Sequence, residues 1–348
     1  MDQQEYLKAR VELAKHMFAF AQTMTLRCAL ELSIPDKIYE HGPLTLAELA
    51  TKMPIKSVNM DRLAQTMRYL VHMNIFTATS NTDEEAAKFG LTPMSQLLLS
   101  KSHNEKSLAT FVMAQTDPEE LFVTGHLAES LGTTKSCWEL HYGVPLLEKM
   151  EKDEKWSKVS EGMNDHTLSM IDAAVEGIKR ERAIDGSVTT LVDVGGNTGN
   201  AAKAILNAFP HLKCTVMDLV DVIETVPKDP RLKFVVGDVL ESIPSADVLF
   251  FKSMFHGFED DMCVKILNNC RKAMHPSKGR VIAVEMVLDI ETLPEFSHAR
   301  LGTAMQMMFV GGKERTKKGW EKIFLKAGFS RYKFIPIAAA EAVFIIYP

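Results

Sequence analysis

The sequence predicts an α/β chain. It reads as a doubly wound, Rossmann-like sheet closed by a C-terminal antiparallel hairpin, behind an N-terminal helical module of winged-helix type. Three observations carry that expectation. The run Leu191-Val192-Asp193-Val194-Gly195-Gly196-Asn197-Thr198-Gly199 is apolar, breaks into glycines and opens a helical pattern. From residue 190 onward, short apolar runs alternate with amphipathic stretches. Residues 1–108, by contrast, hold no convincing parallel-sheet strand. The expected division is therefore 1–108 and 109–348, in keeping with the roughly two domains such a length suggests.

The elements follow in order. Val11 to Ile38 carries helical periodicity, with Leu13, Met17, Phe20, Met24 and Cys28 spaced by three and four. In Pro43–Ala50, Thr45 is an N-cap with Glu48 as its capping-box partner. A helix over Asn59–His72 turns Leu63, Met67 and Leu70 inward, and Phe76–Thr92 reads as a wing hairpin turning at Asn81-Thr82-Asp83. A helical bridge spans Leu108–Arg182 and holds Trp138, Trp156 and Met163-Asn164-Asp165-His166. Strands are expected at Leu191–Val194, Lys213–Met217, Lys233–Val236, Asp247–Phe251 and Arg280–Leu288. Helices are expected at Thr198–Phe209, Val220–Val226, Glu259–Met274 and Lys317–Ala327, the last stopped by Gly328. Arg331–Ile337 and Ala342–Tyr347 lie too close for an intervening helix, so they must pair antiparallel.

Composition narrows the class. The chain is 46% apolar and 24% charged, with a formal net charge of −5, ordinary for a globular protein and weak for a nucleic-acid binder. A DNA-reading winged helix should be basic, yet residues 44–110 set seven Lys/Arg against six Asp/Glu. The module therefore reads as a dimerisation and lid domain, its long Met- and Phe-rich first helix suited to a second subunit. No apolar run reaches a membrane-spanning length, and the polar N-terminus is not a secretory signal. The five cysteines are scattered and form no CxxC pair, which suits reduced thiols in the cytosol. No cluster has metal-ligand spacing, so no metal is expected.

The glycine turn predicts bare backbone against a nucleotide-like cofactor, because glycine carries no Cβ to hold a ligand away. The glycines at 195, 196 and 199 fit the GxGxxG dinucleotide pattern poorly. Asp218 closes the second strand about 20 residues on, where a carboxylate accepts ribose hydroxyls. Asp238 closes the third strand and suits an adenine amino group. Two strand-end carboxylates, no Walker lysine and a terminal hairpin favour S-adenosylmethionine (SAM) over NAD or ATP. The competing reading is that both aspartates merely cap the helices that follow.

These residues bring the chain to a family. It resembles plant SAM-dependent O-methyltransferases of the caffeic acid and flavonoid/alkaloid type, end to end. The resemblance rests on Leu191–Gly199, Cys214–Leu219 (CTVMDL), Val236–Val239 (VGDV), Phe251–His256 with Asp260 to Cys270, and Gly311–Thr316 (GGKERT). Met67–Met73 (MRYLVHM) and Asn207–Val216 (NAFPHLKCTV) make it most like enzymes acting on benzylisoquinoline or related isoquinoline phenols. The resemblance implies a small-molecule phenolic substrate, a homodimer and SAM as methyl donor. It gives Gly195 the methionine part of SAM, Asp218 the ribose, Asp238 and Val239 the adenine, and Leu219 and Lys252 further cofactor contacts. It makes His256 the general base, flanked by Glu285 and Glu314. A phenol is a poor nucleophile near pH 7, so a histidine that takes its proton fits the chemistry.

Two departures stand out. The family's glycine triplet is Gly195-Gly196-Asn197 here, and asparagine tolerates positive φ better than most residues. The usual His-Asp-Trp is His256-Gly257-Phe258, which changes the wall beside the base and leaves N- or C-methylation, or another acceptor such as a flavonoid or phenylpropanoid, as alternatives. A winged-helix regulator that keeps SAM as a ligand is the alternative from another class. The apolar segment Met305–Val310, including Met307 and Met308, reads with Met163 and His166 as a hydrophobic acceptor pocket.

Overall fold

The computed structural model describes residues 1–80, 86–146, 148–149, 154–227, 229–290, 295–337 and 340–348. The expected wing turn Asn81-Thr82-Asp83 and the Trp156 side chain lie outside what is described. Residues 1–120 with 161–165 form one compact unit, and residues 121–160 with 166–348 form another.

In the first unit the expected run Val11–Ile38 is not one helix. It is divided among Gln3–Met17, Ala19–Glu31 and Ile34–His41. The second break has a clear cause: Ser33 sits in the left-handed region at φ 53°, and Pro35 in the next first turn lacks the N–H that would continue a helix. Helix Gln3–Met17 buries no residue, and Leu7, Val11, Leu13, Met17 and Phe20 are exposed. Leu46–Lys52 begins in the expected capping box, Glu48 N–H donating to Thr45 Oγ1 at 3.2 Å and Thr45 N–H to Glu48 Oε2 at 2.8 Å. Met60–His72 is capped by Asn59 and buries Leu63, Met67 and Leu70. The wing is the antiparallel pair β1 (Phe76–Ala78) and β2 (Phe89–Leu91).

The second unit carries, among the described residues, a seven-stranded sheet. Its strands are β3 (Thr190–Val194), β4 (Lys213–Asp218), β5 (Lys233–Val236), β6 (Val248–Lys252), β7 (Arg280–Met286), β8 (Arg331–Pro336) and β9 (Glu341–Tyr347). They lie in the order β5-β4-β3-β6-β7-β9-β8, parallel from β5 to β7, with β9 antiparallel to both β7 and β8. The expected terminal hairpin is therefore present. Successive side chains on a strand point to opposite faces. Val192, Leu249, Phe251, Val281 and Phe344 thus build the core on one face, and Leu191, Val248, Phe250, Ile282 and Ile345 build the core on the other. Each such side chain, fully buried, contributes about 1.5–3 kcal/mol over an exposed one. Helix Lys317–Lys326 stops in a Schellman motif: Phe329 N–H reaches Phe324 O at 2.9 Å across Gly328, which has φ 81°.

This topology fixes where chemistry belongs. The chain runs outward from β3 in both directions, to β4 and to β6, and the crevice at the carboxyl ends of such strands is where open α/β sheets take ligands. Gly195, Asp218, Lys252 and Glu285 all sit at those ends.

Candidate active site

The loop after β3 is built by close approach. Gly195 (φ 68°), Asn197 (φ 50°) and Gly199 (φ 74°) are left-handed, and Gly195 N–H donates to Met217 O at 2.8 Å. Gly196 is required for a different reason: a Cβ there would lie 2.7 Å from the buried Asp193 carboxyl and 2.9 Å from Val216 Cγ1. Asp193 in turn accepts from Ala202 N–H at 3.1 Å, so it braces the first turn of the following helix, Asn200–Ala208. Burial pushes its carboxyl up to about 7. Gly195 is exposed, and a Cβ on it would meet Met254 Sδ at 3.1 Å.

Asp218 does not cap the helix Val220–Thr225, whose N-cap is Leu219 without a side-chain bond. Its Oδ2 accepts from Asn197 N–H and its Oδ1 from Leu219 N–H, both at 2.8 Å. Burial pushes its carboxyl above the ordinary range against those two bonds. A carboxylate offers about four acceptor positions, so capacity is left for hydroxyls. Asp238 is exposed, and its Oδ1 accepts from Leu240 N–H at 2.8 Å, a local turn bond. The loop around it is held from behind by buried Asn269, which donates to Val239 O at 3.0 Å and Leu240 O at 3.1 Å. Leu219 and Val236 expose apolar surface at the same edge.

Lys252 ends β6. Its Nζ donates to His166 Nδ1 at 3.0 Å, and His166 Nε2 lies 3.5 Å from Glu341 Oε1 at the start of β9. Burial lowers Lys252 to about 8, although Glu285, Glu341 and Asp193 oppose the shift. Burial also lowers His166, which keeps its Nδ1 a lone-pair acceptor.

His256 lies in the one-turn 3₁₀ helix Phe255–Gly257, just beyond β6. Its Nδ1 is 2.8 Å from Glu314 Oε1, and the two side chains are 14% and 1% exposed. Glu285 is fully buried, and its Oε1 accepts from the N–H groups of Met254 and Phe255 at 2.9 Å each. It therefore holds the strand-to-turn segment that carries His256. Burial raises the Glu285 carboxyl. For His256, burial acts to lower the imidazole, but the Glu314 hydrogen bond and the charges of Glu285 and Glu314 outweigh it and leave it raised.

The structure thus brings Glu314, His256 and Glu285 together, and sets Gly195, Asp218, Asp238 and Lys252 at adjoining strand ends. Met307 lies near His256 through Gly312: its carbonyl accepts from Gly312 N–H at 2.7 Å, and a Cβ on Gly312 would lie 2.9 Å from His256 O. Met308 is half-buried one residue on. His166 is tied to Lys252 and Glu341, and Met163 falls within the first unit. At Gly257 an added Cβ would meet nothing within 4 Å, so the missing acid leaves open space. Sequence reasoning missed Met254, Asn269, Arg315 and Glu341. Met254 had a visible signal, since it lies two residues past the end of β6 and two before His256; Arg315 adjoins Glu314 in the Gly311–Thr316 motif, and Asn269 and Glu341 reach the site from other elements. Among the described residues, no His/Cys/Asp/Glu group has a metal-holding arrangement.

Known proteins bear on this geometry. A family model for the O-methyltransferase domain matches residues 125–330, and one for the O-methyltransferase dimerisation domain matches residues 14–101. The chain is 46% identical to columbamine O-methyltransferase of Coptis japonica, over 98% of this chain and 96% of that protein. It is 34% identical to (RS)-norcoclaurine 6-O-methyltransferase of Thalictrum flavum subsp. glaucum, over 100% and 99%. Among solved structures, human N-acetylserotonin methyltransferase in complex with SAM superposes with a TM-score of 0.81 at 20% identity, covering 99% of this chain and 98% of that one. CalO1, a methyltransferase in calicheamicin biosynthesis in its SAH-bound form, gives a TM-score of 0.80 at 25% identity, covering 100% and 99%.

Proposed function

The chain belongs to the SAM-dependent O-methyltransferase family, and on that premise we propose that it methylates a phenolic hydroxyl of an isoquinoline-type alkaloid with His256 as general base. The alkaloid acceptor is supported by relatives named for columbamine, norcoclaurine and norreticuline O-methylation. The observation that carries the mechanism is the 2.8 Å contact of His256 Nδ1 with Glu314 Oε1 at the carboxyl edge of the sheet.

The residues present fit SAM. Gly195 offers exposed left-handed backbone at the end of β3, Asp218 keeps spare acceptor capacity, and Lys252 supplies a cation at the end of β6. In this reading Gly195, Asp218, Leu219, Asp238, Val239 and Lys252 hold the cofactor. Bound SAM supplies an electrophilic methyl on a sulfonium.

The chain's own residues do the rest. Glu314 can only accept at Oε1 when ionised, so it fixes the Nδ1–H tautomer of His256. Nε2 is then left as the lone pair that takes the phenolic proton as the new oxygen–carbon bond forms. The imidazolium so made is stabilised by Glu314 and by the charge of Glu285. Because transfer from a sulfonium is an in-line displacement, alignment of donor and acceptor carries much of the rate. The acceptor wall is assigned to His166, Met307 and Met308, and Gly257 gives a bulky ring system room beside the base.

We read the working form as a homodimer, with residues 1–108 as dimerisation domain and 109–348 as catalytic domain. The dimerisation-domain match at 14–101 and the exposed apolar face of helix Gln3–Met17 support this. No described helix is long and apolar enough to cross a membrane, and the cysteines Cys28, Cys137, Cys214, Cys263 and Cys270 are free, in keeping with a cytosolic location.

The test is turnover with SAM and a panel of phenolic isoquinolines, flavonoids and phenylpropanoids, read as the mass gain of one CH₂ and located by NMR. His256→Ala is expected to abolish turnover while S-adenosylhomocysteine (SAH) still binds. Full activity in that variant rules out His256 as base.

A further inference from the structure

We propose that Arg315 is the positioning residue of this site, one buried guanidinium that holds the His256 turn, the Glu314 loop and the end of β7 in mutual register. The proposal rests on the assignment of His256 as base.

The geometry is as follows. Arg315 is 3% exposed. Its Nη1 donates to Phe255 O at 3.2 Å and to Lys313 O at 2.9 Å. Its Nη2 donates to Phe258 O at 2.6 Å, and its Nε donates to Asp260 Oδ1 at 2.9 Å. The carbonyls of Phe255 and Phe258 bracket His256 on either side. Lys313 is the residue before Glu314. One planar group therefore bonds the backbone around the base and the backbone beside its carboxylate partner.

The main chain completes the tie. Lys313 N–H donates to His256 O at 2.7 Å, and Leu288 N–H donates to Arg315 O at 3.0 Å, next to the parallel bridge between Val287 and Arg315. Glu285 lies two residues before that bridge and holds Met254 and Phe255 from the other side. The guanidinium also lies over the Trp320 ring, its Cζ 5.1 Å from the centroid, within cation–π range.

A fork of this kind is needed. Within the turn Phe255 O accepts only from Phe258 N–H, at 3.1 Å, and Phe258 O lies past the last turn, so both carbonyls keep acceptor capacity that the guanidinium takes up. Arginine presents five donors in a fixed plane and stays charged, whereas lysine offers a compact point charge that cannot span three carbonyls. The His256–Glu314 contact joins two residues 58 positions apart, so nothing local fixes its length. The groups facing His256 are Glu314, Glu285, Lys252 and His166. Loosening the Glu314 contact leaves burial and Lys252 to lower the imidazole against the charge of Glu285.

The experiment compares Arg315→Lys, Arg315→Gln and the milder Asp260→Ala with wild type and with His256→Ala. It measures SAH affinity by calorimetry, melting temperature, and kcat against pH with a phenolic acceptor. We expect SAH affinity within about twofold of wild type, because the hydrogen bonds of Arg315 go to Phe255, Phe258, Asp260 and Lys313 and to none of the residues assigned to the cofactor. We expect kcat to fall by about a hundredfold in Arg315→Lys, the scale of an ångström of misplacement. The midpoint of the rising limb of kcat should move to lower pH, and Asp260→Ala should move both quantities the same way by less. A melting temperature that falls while kcat and its midpoint stay at wild-type values overturns the proposal, and so does loss of SAH binding in step with kcat. If Arg315 variants do not fold, an unchanged kcat profile in Asp260→Ala overturns it. Full activity in His256→Ala removes the base assignment itself, an outcome separable from an unaltered Arg315→Lys beside an inactive His256→Ala.

Discussion

Lys252 and His166 are joined by a hydrogen bond of 3.0 Å between Nζ and Nδ1, although the sequence assigned one to the cofactor and the other to the acceptor. The bond leaves the lysine with its cation directed by an imidazole that Glu341 holds from the far side. Burial has already lowered Lys252 to about 8. An anionic group on the cofactor requires the protonated lysine. SAH affinity is therefore expected to be level up to about pH 8 and to fall by about tenfold per pH unit above it. In Lys252→Met it should be weaker and flat with pH. His166→Asn, which places an amide oxygen near the Nδ1 position, should keep more affinity than His166→Ala. Calorimetry between pH 6.5 and about 9.5 decides this, and a flat wild-type curve rejects a charge contact from Lys252.

The raised imidazole of His256 gives a second expectation. With His256 as the proposed base, turnover needs its neutral form, so kcat should rise with pH and reach its plateau only above the ordinary imidazole value of about 6.5. Glu314→Gln removes the stronger of the forces that raise His256 and leaves burial to lower it. Its midpoint should fall below that of wild type, and its plateau should drop by about 10²-fold or more as the tautomer is freed. Rate profiles of the two proteins on the same acceptor provide the check. A shift to higher pH in Glu314→Gln contradicts the geometry.

Four of the residues that sequence reasoning found share one property. Gly195, Asp218, Lys252 and His256 each stand at or just beyond the end of an apolar run, so the strand pattern announces them locally. The seven strands were legible for the same reason, since β6 and β7 are nearly continuous apolar runs. What was not legible acts at a distance. Arg315 reaches Phe255 O across 60 residues, Asn269 reaches Val239 O across 30, and Lys252 meets His166 across 86. Their partners are mostly main-chain carbonyls, which leave no trace in side-chain patterning. The break at Ser33 was hidden for another reason: apolar spacing runs through it unchanged, and only Pro35 marks it.

Asn197 tests the altered glycine loop. Its φ of 50° is open to glycine and asparagine, and its N–H holds Asp218 Oδ2 at 2.8 Å. Asn197→Gly should leave SAH affinity within about twofold, because the backbone bond survives. Asn197→Val forces a β-branched residue into the left-handed region at a cost of about 1–2 kcal/mol, and the loop can relieve it only by releasing Asp218. An affinity loss of about tenfold follows. Equal affinity in the two variants would show that Asp218 is held without this turn.

Asp247 offers a prediction on stability rather than catalysis. Just before β6, its Oδ2 accepts from Thr189 N–H at 2.8 Å, Thr189 Oγ1 at 3.0 Å and Thr190 N–H at 3.2 Å, while Lys278 Nζ lies 3.0 Å from Oδ1. Burial alone would raise this carboxyl, but the bonds from Thr189 and Lys278 outweigh it and bring it down to about 2. The unfolded value is about 3.9, so the folded value is the lower one. Its stabilisation is therefore complete above about pH 4 and is lost as pH falls towards 2. Asp247→Asn turns an acceptor into an amide whose NH₂ opposes N–H donors, and should cost about 2 kcal/mol at neutral pH. Urea unfolding of both proteins from about pH 7 down to pH 2 should show that difference shrinking in the acid range. A difference that stays constant with pH would mean that Asp247 contributes through packing and not through its charge.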